Sequence, residues 1–554
     1  MINERLDLVG ELMKNEVLLT ELGELLRRTY DTLRLIQKFS FGRGNADDLQ
    51  GLARTINLTR RIGDLLLDTQ KDAESPLSKI HARFYQDTPN RVADSILAAI
   101  DEEGLTLQQQ SQELNQVEAA GLARNVLEQE ALGSEMSDLR KSLSTKRFNK
   151  VIEVEEDKAS TDEIWIMRRD ASAIVRSLHQ KLEELRRDKH NLGSSLKEQL
   201  GAATLTLKFT PGLGHICHVK GKDTKLDVSI LEDARTVGSS KSTRSFYLPA
   251  WTRLGSRIED IKLRIRAEEQ QIFQSLRDLV IQSLVPLRRN AALLDELDVA
   301  SSSARLAQEF NLQRPSLNNS TNHLIYGGRH MVVEAGLLSN GRQFIPNDCV
   351  LDSPARIWLL TGPNMAGKST FLRQTALISI LAQTGMYVPA AYAEIGLVDQ
   401  IFSRIGSADN LSQDQSTFMV EMLETAHILR HATNRSFVIM DEVGRGTTPE
   451  DGVAVGYAVL HHLQHVNKCR TLFATHFHAL TDMTMGFEGL ACYCTNVVEE
   501  GEGRFRYDHK VRKGVNWQSH ALKVAKLAGM PEEAIEVAKG VLKELGDESV
   551  FVDG

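Results

Sequence analysis

The run LLTGPNMAGKSTFLRQ, positions 359–374, carries the spacing G-x-x-x-x-G-K-[ST] as Gly362, Gly367, Lys368 and Ser369. It follows a β-type apolar run and opens a helix-type run, the context in which this pattern cradles phosphate. Glycines let consecutive backbone N–H groups curl around phosphate oxygens, and the N-terminus of the following helix adds a favourable dipole. Lys368 would reach β- and γ-phosphate oxygens and Ser369 would ligate Mg²⁺, so an ATP or GTP site is implied. Further along, SFVIMDE ends an apolar run on Asp441 and Glu442. One carboxylate there can hold the Mg²⁺ shell while its neighbour orients an attacking water. TLFATH ends a third such run at His476. A single histidine at a strand end serves structure at least as often as chemistry, so spacing alone leaves both readings open.

These groups need a frame that brings strand ends together. From about Gly327 the segments IWLLTG, FVIMDE and TLFATH alternate with helical patterns, predicting a largely parallel sheet with its site at the strand C-termini. Residues 1 to about 150 read as helical, with a break at FGRGNADD. Two long helices follow from apolar spacing. One runs from Trp165 to Leu200 through Leu178, Leu182, Leu185, Leu192 and Leu196; the other runs through Leu254, Ile258, Ile261, Ile265, Ile272, Leu276 and Leu279. A helix over 165–200 would be roughly 54 Å long at about 1.5 Å per residue, which suits an antiparallel lever better than a compact bundle. Between them LTLKFTPGLGHICHVKGKDTKLDVSILED alternates and carries turn residues, predicting a small β-rich tip. The expected organisation is a helical core and first lever over 1–200, a tip over 201–247, a second lever and return to the core over 248–315, an α/β domain over 316–513, and a helix-turn-helix over 514–554.

Charge singles out the tip. The chain carries −8 overall, yet Gly201 to Arg257 holds nine Lys/Arg against four Asp/Glu. Lys208, Lys220, Lys222, Lys225, Lys241 and Arg244 are placed to meet phosphates of a polyanion, against the plainer reading of a solvated lysine-rich loop. Composition, at 42% hydrophobic and 25% charged, is that of a folded multidomain protein. No apolar stretch is long enough to span a bilayer. The first residues do not read as a targeting peptide. Cys217, Cys349, Cys469, Cys492 and Cys494 form no metal or disulfide spacing, which points to a reducing compartment.

Four motifs in order, GPNMAGKST, STFMVEM, MDEVGRGTT and TLFATHF, span about 120 residues and together resemble the MutS family of DNA mismatch-repair ATPases, whose nucleotide domain is of the ABC type. INERLDLV with FGRGNADDL looks like the family's helical core, the lever-and-tip segment like its clamp, and GGRHMVVE with FIPND like the approach to its ATPase domain. GPNMAGKSTFLRQ, SRIGSADNL, CRTLFATHF and YDHKVRKG look most like the fungal mitochondrial members, implying a mitochondrial protein, with the nucleus as the alternative. The resemblance implies a phosphate loop from Gly362 through Thr370 with Asn364 near the attacking water, Asp441 organising Mg²⁺, and Glu442 as general base. His476 would be the switch histidine, and Phe344 and His509 would contact adenine. Ser416 would reach the γ-phosphate held by an opposite subunit, so that hydrolysis requires a homodimer or a MutS-family heterodimer, with the C-terminal helices dimerising.

Asp414 and Gln415 precede Ser416 where Gly-Arg or Gly-Val is usual, and Met331 replaces the proline of GRHP. The chain also starts part-way into the core, and no Phe-x-Glu reader precedes it, so mismatch reading is not expected from this chain itself. The leading expectation is an ATP-dependent, duplex-binding mismatch-repair clamp that hydrolyses ATP with Mg²⁺. A MutS-like protein of recombination junctions, or a truncated product without its own mismatch recognition, is the alternative. The nucleotide subunit of a transporter fits less well, because lever helices and a basic tip have no place in one.

Overall fold

The computed structural model describes residues 1–69, 74–110, 164–210, 212–225, 231, 233–240, 242–363, 366–405, 417–501, 504–516, 522, 525 and 528–548. Two compact units account for it. One comprises Glu24–Ala73 and Ser78–Glu296; the other comprises Met1–Gly23, Glu74–Leu77 and Leu297–Gly554. In the first half of the chain the described helices include α1 (Ile2–Met13), α2 (Glu16–Arg27), α3 (Thr32–Ser40), α4 (Ala46–Asp68), α5 (Pro76–His81), α6 (Asp87–Ala99), α7 (Ala173–Leu200), α8 (Pro249–Gln282) and α9 (Leu284–Glu309). No helix of the described residues is long and apolar enough to cross a membrane.

The first unit is helical, with one small sheet. The sequence break at FGRGNADD becomes a capping box: Asn45 accepts from the Asp48 N–H, while the Asp48 carboxylate accepts from the Asn45 N–H. Two otherwise orphaned donors are satisfied, and α4 can start abruptly there. Its apolar stripe, Leu49, Leu52 and Ile56, packs with Val92 and Ile96 of α6 and with Leu276 and Val280 near the end of α8. Helices α7 and α8 share a second core, in which Leu182, Leu185 and Leu196 meet Ile258, Ile261 and Ile265. Helix α7 starts at Ala173, later than the Trp165 expected from spacing. The reason is local: Ser172 is an N-cap that accepts from the Val175 N–H, and Met167 is held in a bridge to Ile100.

Between these helices lies an antiparallel sheet in the order β1 (Thr206–Thr210), β2 (Gly214–Lys220), β4 (Thr243–Tyr247), β3 (Arg235–Ser239). Its buried face, with Cys217, Val219 and Phe246, rests on Trp251 in the first turn of α8. The His215 ring meets Trp251 edge-on at 5.3 Å. It occupies the space beside Gly255, where a Cβ would sit 2.3 Å from the ring.

The second unit carries two sheets. The larger has the order β10 (Ile401–Arg404), β11 (Phe437–Asp441), β12 (Arg470–Ala474), β8 (Ile357–Thr361), β13 (Leu490–Gly501), β14 (Arg504–Lys513). All neighbours are parallel except the last pair. Every residue of β8, β11 and β12 is buried. The alternating side chains of a strand divide between two apolar layers. Trp358, Leu360 and Ile439 face Phe371 and Leu372 of α11 (Lys368–Thr384), whereas Leu359, Val438 and Met440 share a cluster with Ile428 of α12 (Thr417–His431) and Leu460 of α13 (Pro449–His462). A smaller sheet has the order β5 (Ser316–Asn318), β9 (Tyr392–Gly396), β6 (His323–Gly328), β7 (Asn347–Leu351), with α10 (Met331–Ser339) between β6 and β7 in the chain. Of the expected C-terminal helix pair, the second helix is seen as Glu532–Glu548, and the first falls mostly outside the described residues.

His323 opens β6 fully buried, stacked on Phe437 at 5.0 Å and 3.3 Å from the Ser379 hydroxyl. Burial, with the Arg470 charge nearby, pushes its imidazole from 6.5 down to about 3. The unfolded chain therefore takes up a proton that the folded chain refuses. The stability held in this neutral ring is complete above about pH 6.5 and is lost as pH falls toward 3, by up to about 1.4 kcal/mol per pH unit. Urea unfolding at stepped pH is expected to show a shallower acid decline for His323→Phe than for the parent.

Candidate functional site

Because β8, β11 and β12 are parallel and in register, their C-terminal ends fall side by side, with Asp441 opposite Ala474 and Ala474 opposite Leu360. The loop after β8 then turns sharply. Gly362 has φ 137°, and a Cβ there would lie 2.3 Å from the Thr495 hydroxyl of β13, so only glycine fits. Gly367, at φ 94°, turns the chain into α11. The first three residues of that helix are Lys368, Ser369 and Thr370, the last two half-buried. Asn364 lies outside the described residues.

Lys368 is 5% exposed and donates from Nζ to the Gly362 carbonyl at 2.7 Å and the Pro363 carbonyl at 3.1 Å. Burial lowers its ammonium pKa, against the opposing pull of Glu442 and Asp441. Ser369 hydrogen-bonds the Asp441 carboxylate. Burial pushes that carboxyl group above the usual range, partly offset by the Ser369 bond, and its Oδ1 is buried without a hydrogen-bond partner among the described residues. A hydroxyl and a carboxylate with a spare buried oxygen form a donor set that suits a hard divalent cation.

Glu442 follows in the left-handed region at φ 54°, a conformation uncommon for a side chain of this size. It is held there by its own N–H, which donates to the Ala474 carbonyl at 2.9 Å. The Glu442 carboxylate pairs with Arg445 at 2.7 Å. His476, two residues past β12, is exposed and rests against Phe477 with ring centres 4.0 Å apart. Partial burial lowers its pKa, while Glu442 pulls the other way. His509 reaches the same loop from β14: its Nδ1 lies 3.3 Å from the Ala366 carbonyl, and its φ is 51°. Asn347 ties this strand to the FIPND segment by donating to the His509 carbonyl at 2.9 Å and accepting from the Val511 N–H at 2.7 Å. Phe344, half-buried, stands three residues before that tie.

Spacing did not single out one further group. Glu421, 4% exposed on α12, accepts from the Gly444 N–H just past Glu442, and its other oxygen lies 3.4 Å from buried Arg404 at the end of β10. Arg404 also meets Glu424 at 3.2 Å. The helix that opens with TFMVEM is thereby fastened to the loop behind Glu442. The signal in the sequence was Glu421 within STFMVEM, a motif otherwise read for Ser416, which lies outside the described residues. The basic residues of the tip lie in the other compact unit. Lys208, Lys220 and Arg244 stand on β1, β2 and β4, and Lys222 and Lys225 in the turn Gly221–Lys225; Lys241 lies outside the described residues.

Comparison with known families matches residues 1–304 to MutS domain III and residues 358–546 to MutS domain V. The chain belongs to the MutS family. It is similar to the DNA mismatch repair protein MutS of Azorhizobium caulinodans, 51% identical over 297 residues, which cover 53% of this chain and 32% of that protein. The MutS of Nitrobacter hamburgensis is 34% identical over 555 residues, covering 98% of this chain and 55% of that protein. That of Rhizobium meliloti is 33% identical over 563 residues, covering 99% and 54%. The chain thus spans about half the length of the relatives that it matches from end to end. These bacterial relatives overturn the mitochondrial placement drawn from resemblance: motifs shared across the family carry no compartment signal, and the similarity extends to bacterial proteins over almost the entire chain.

Removing the Glu421 carboxylate would leave the buried Arg404 guanidinium with only the half-exposed Glu424 as counter-charge, and the Gly444 N–H without its acceptor. Glu421→Ala is expected to lower stability by about 1–3 kcal/mol, read from the denaturant midpoint of the full chain. Glu421→Gln, which keeps an acceptor for the Gly444 N–H, should lose less.

Proposed function

We propose that this chain is an ATP-hydrolysing, DNA-binding protein of mismatch repair, acting as a dimer. The observation that carries the reading is the cluster at the strand ends: buried Lys368 within the Gly362–Gly367 turn, Ser369 bonded to Asp441, and Glu442 fixed in a left-handed conformation beside them. The family membership and the names of its relatives, each a DNA mismatch repair protein MutS, support the biological setting.

In this reading the phosphate loop from Gly362 to Thr370, with Asn364, receives the triphosphate. Lys368 releases the carbonyls of its own loop and donates to phosphate oxygens instead. Ser369 and Asp441 would hold Mg²⁺, and the spare Asp441 oxygen supports that fit. Once bound, the ion would neutralise charge on the phosphate oxygens as the terminal phosphoryl group departs. Glu442 leaves its pair with Arg445 and accepts the proton of the attacking water, and its fixed backbone keeps the carboxylate aimed. His476 senses the terminal phosphate, while Phe344 and His509 flank the base. Ser416 completes the site from a second subunit, and the C-terminal helices assist the pairing.

Lys208, Lys220, Lys222, Lys225, Lys241 and Arg244 grip the duplex backbone at the tip carried by α7 and α8, which act as levers of a clamp. Such contacts are independent of sequence and weaken steeply with salt. The proposed parts are the core and first lever over 1–200, the tip over 201–247, the second lever over 248–315, the ATPase over 316–513 and the dimerising segment over 514–554.

Lys368→Ala is expected to abolish ATP turnover, whereas Glu442→Ala should retain ATP binding and trap it unhydrolysed. A Glu442→Ala protein turning over at the parent rate in a phosphate-release assay would reject Glu442 as base. Titration against mismatched duplex, matched duplex and a four-way junction tests the setting. Duplex bound more tightly than the junction is the expected result; a preference for the junction would favour the recombination reading, and equal affinity for matched and mismatched DNA would reject lesion sensing by this chain.

A further inference from the structure

Outside the phosphate loop and the tip, a depression in the helical unit gathers four arginines. A cavity of about 640 Å³ opens between the end of α2, the Thr29–Tyr30 connection and one face of α4. Arg27, Arg28, Arg54 and Arg61 line it together with Tyr30 and Asn57, and no carboxylate is part of the lining. Arg54, Asn57 and Arg61 recur at helical spacing, so α4 presents them along a single stripe. Among the described residues only Arg54 of the four guanidiniums has an ion-pair partner, Glu102. Other arginines of this unit, such as Arg169 and Arg264, do have carboxylate partners. Like charges that outnumber their counter-charges gain most from a ligand bearing several anionic groups, and guanidinium forks match phosphate oxygens in pairs.

Tyr30 narrows the ligand class. It is 47% exposed, yet it is held in place: its N–H donates to the Thr55 hydroxyl at 2.9 Å, and its side chain hydrogen-bonds Arg54. Its ring lies over Gly51, where a Cβ would come within 3.4 Å of it. An oriented, exposed aromatic ring among cations is the arrangement that binds unpaired nucleotides, with the backbone on the charges and a base on the ring. A duplex keeps its bases stacked inside and would leave the ring unused. An acidic peptide would use the charges alone.

We infer that the Arg27–Arg28–Tyr30–Arg54–Arg61 depression is a binding site for single-stranded nucleic acid, separate from the ATP site and from the duplex contacts proposed for the tip. The test uses the full chain and a fluorescent oligothymidylate, read by anisotropy across a salt series. Tyr30→Ala should weaken binding about tenfold, the scale of one lost base stack, and Tyr30→Phe should stay near the parent. Arg28→Gln with Arg61→Gln should also weaken it, lowering the salt slope by about 0.7 for each phosphate contact removed. Duplex affinity, ATP turnover and the thermal melt of these variants should match the parent.

Unchanged oligothymidylate binding in the Tyr30→Ala and double-arginine variants would overturn the inference. So would an equal loss toward duplex, which would mark a general polyanion surface. Displacement of the oligomer by polyglutamate at matched charge would also overturn it and reassign the depression to an acidic protein segment. A parent that binds oligothymidylate through these residues but binds no duplex would support the site while rejecting the clamp reading.

Discussion

Parallel register among three fully buried strands is the constraint on which the candidate site depends. With β8, β11 and β12 covered on both faces, a slip of one residue would turn each apolar set toward the wrong layer, so the register is fixed by burial on two sides. The strand ends are consequently level. Gly362, Asp441 and Thr475 arrive at one rim though they lie more than a hundred residues apart at the extremes. The polar groups at that rim are costly to desolvate, as the raised Asp441 and lowered Lys368 pKa values show. The apolar layers beneath hold them there nonetheless.

The same principle, at smaller scale, orders the helical unit. Helices α7 and α8 contribute leucines and isoleucines at alternating steps of three and four, which keeps one seam continuous over many turns. At one end of that seam the sheet β1 to β4 is seated by Trp251 and His215 against a helix made narrow at Gly255. At the other, Glu269 accepts the Ile166 and Met167 N–H groups at 2.8 Å each, anchoring the segment that leads into α7.

Much of this was legible in the sequence where local chemistry decides the structure. The phosphate-loop turn needs glycine at Gly362 and Gly367 whatever the rest of the chain does, and the apolar runs before Gly362, Glu442 and His476 are strands because both faces are covered. The start of α7 was set too early because Trp165 was joined to the leucine period that begins at Leu178, whereas the Ser172 N-cap starts the helix at Ala173. Contacts made across long stretches of chain were not readable from spacing. Asn347 tying His509 to the FIPND segment, Thr495 crowding Gly362, and Glu421 joining Arg404 to Gly444 each join residues brought together only by sheet order or helix packing. Resemblance pointed to His509 and to the motif around Glu421. It could not supply the bonds that position them.

The two hydrogen bonds from Lys368 to the carbonyls of Gly362 and Pro363 would make the proposed capture of an anion an exchange reaction. A guest does not meet a bare ammonium; it competes with two neutral acceptors already in place. A charged oxygen would win that competition, because it adds the attraction of a full opposite charge to the hydrogen bond, in a buried site that solvent screens weakly. A neutral hydroxyl or carbonyl gains almost nothing by entering. Were the loop to receive a triphosphate as proposed, it would be a valence filter as well as a cradle, turning away uncharged ligands before their shape is tested.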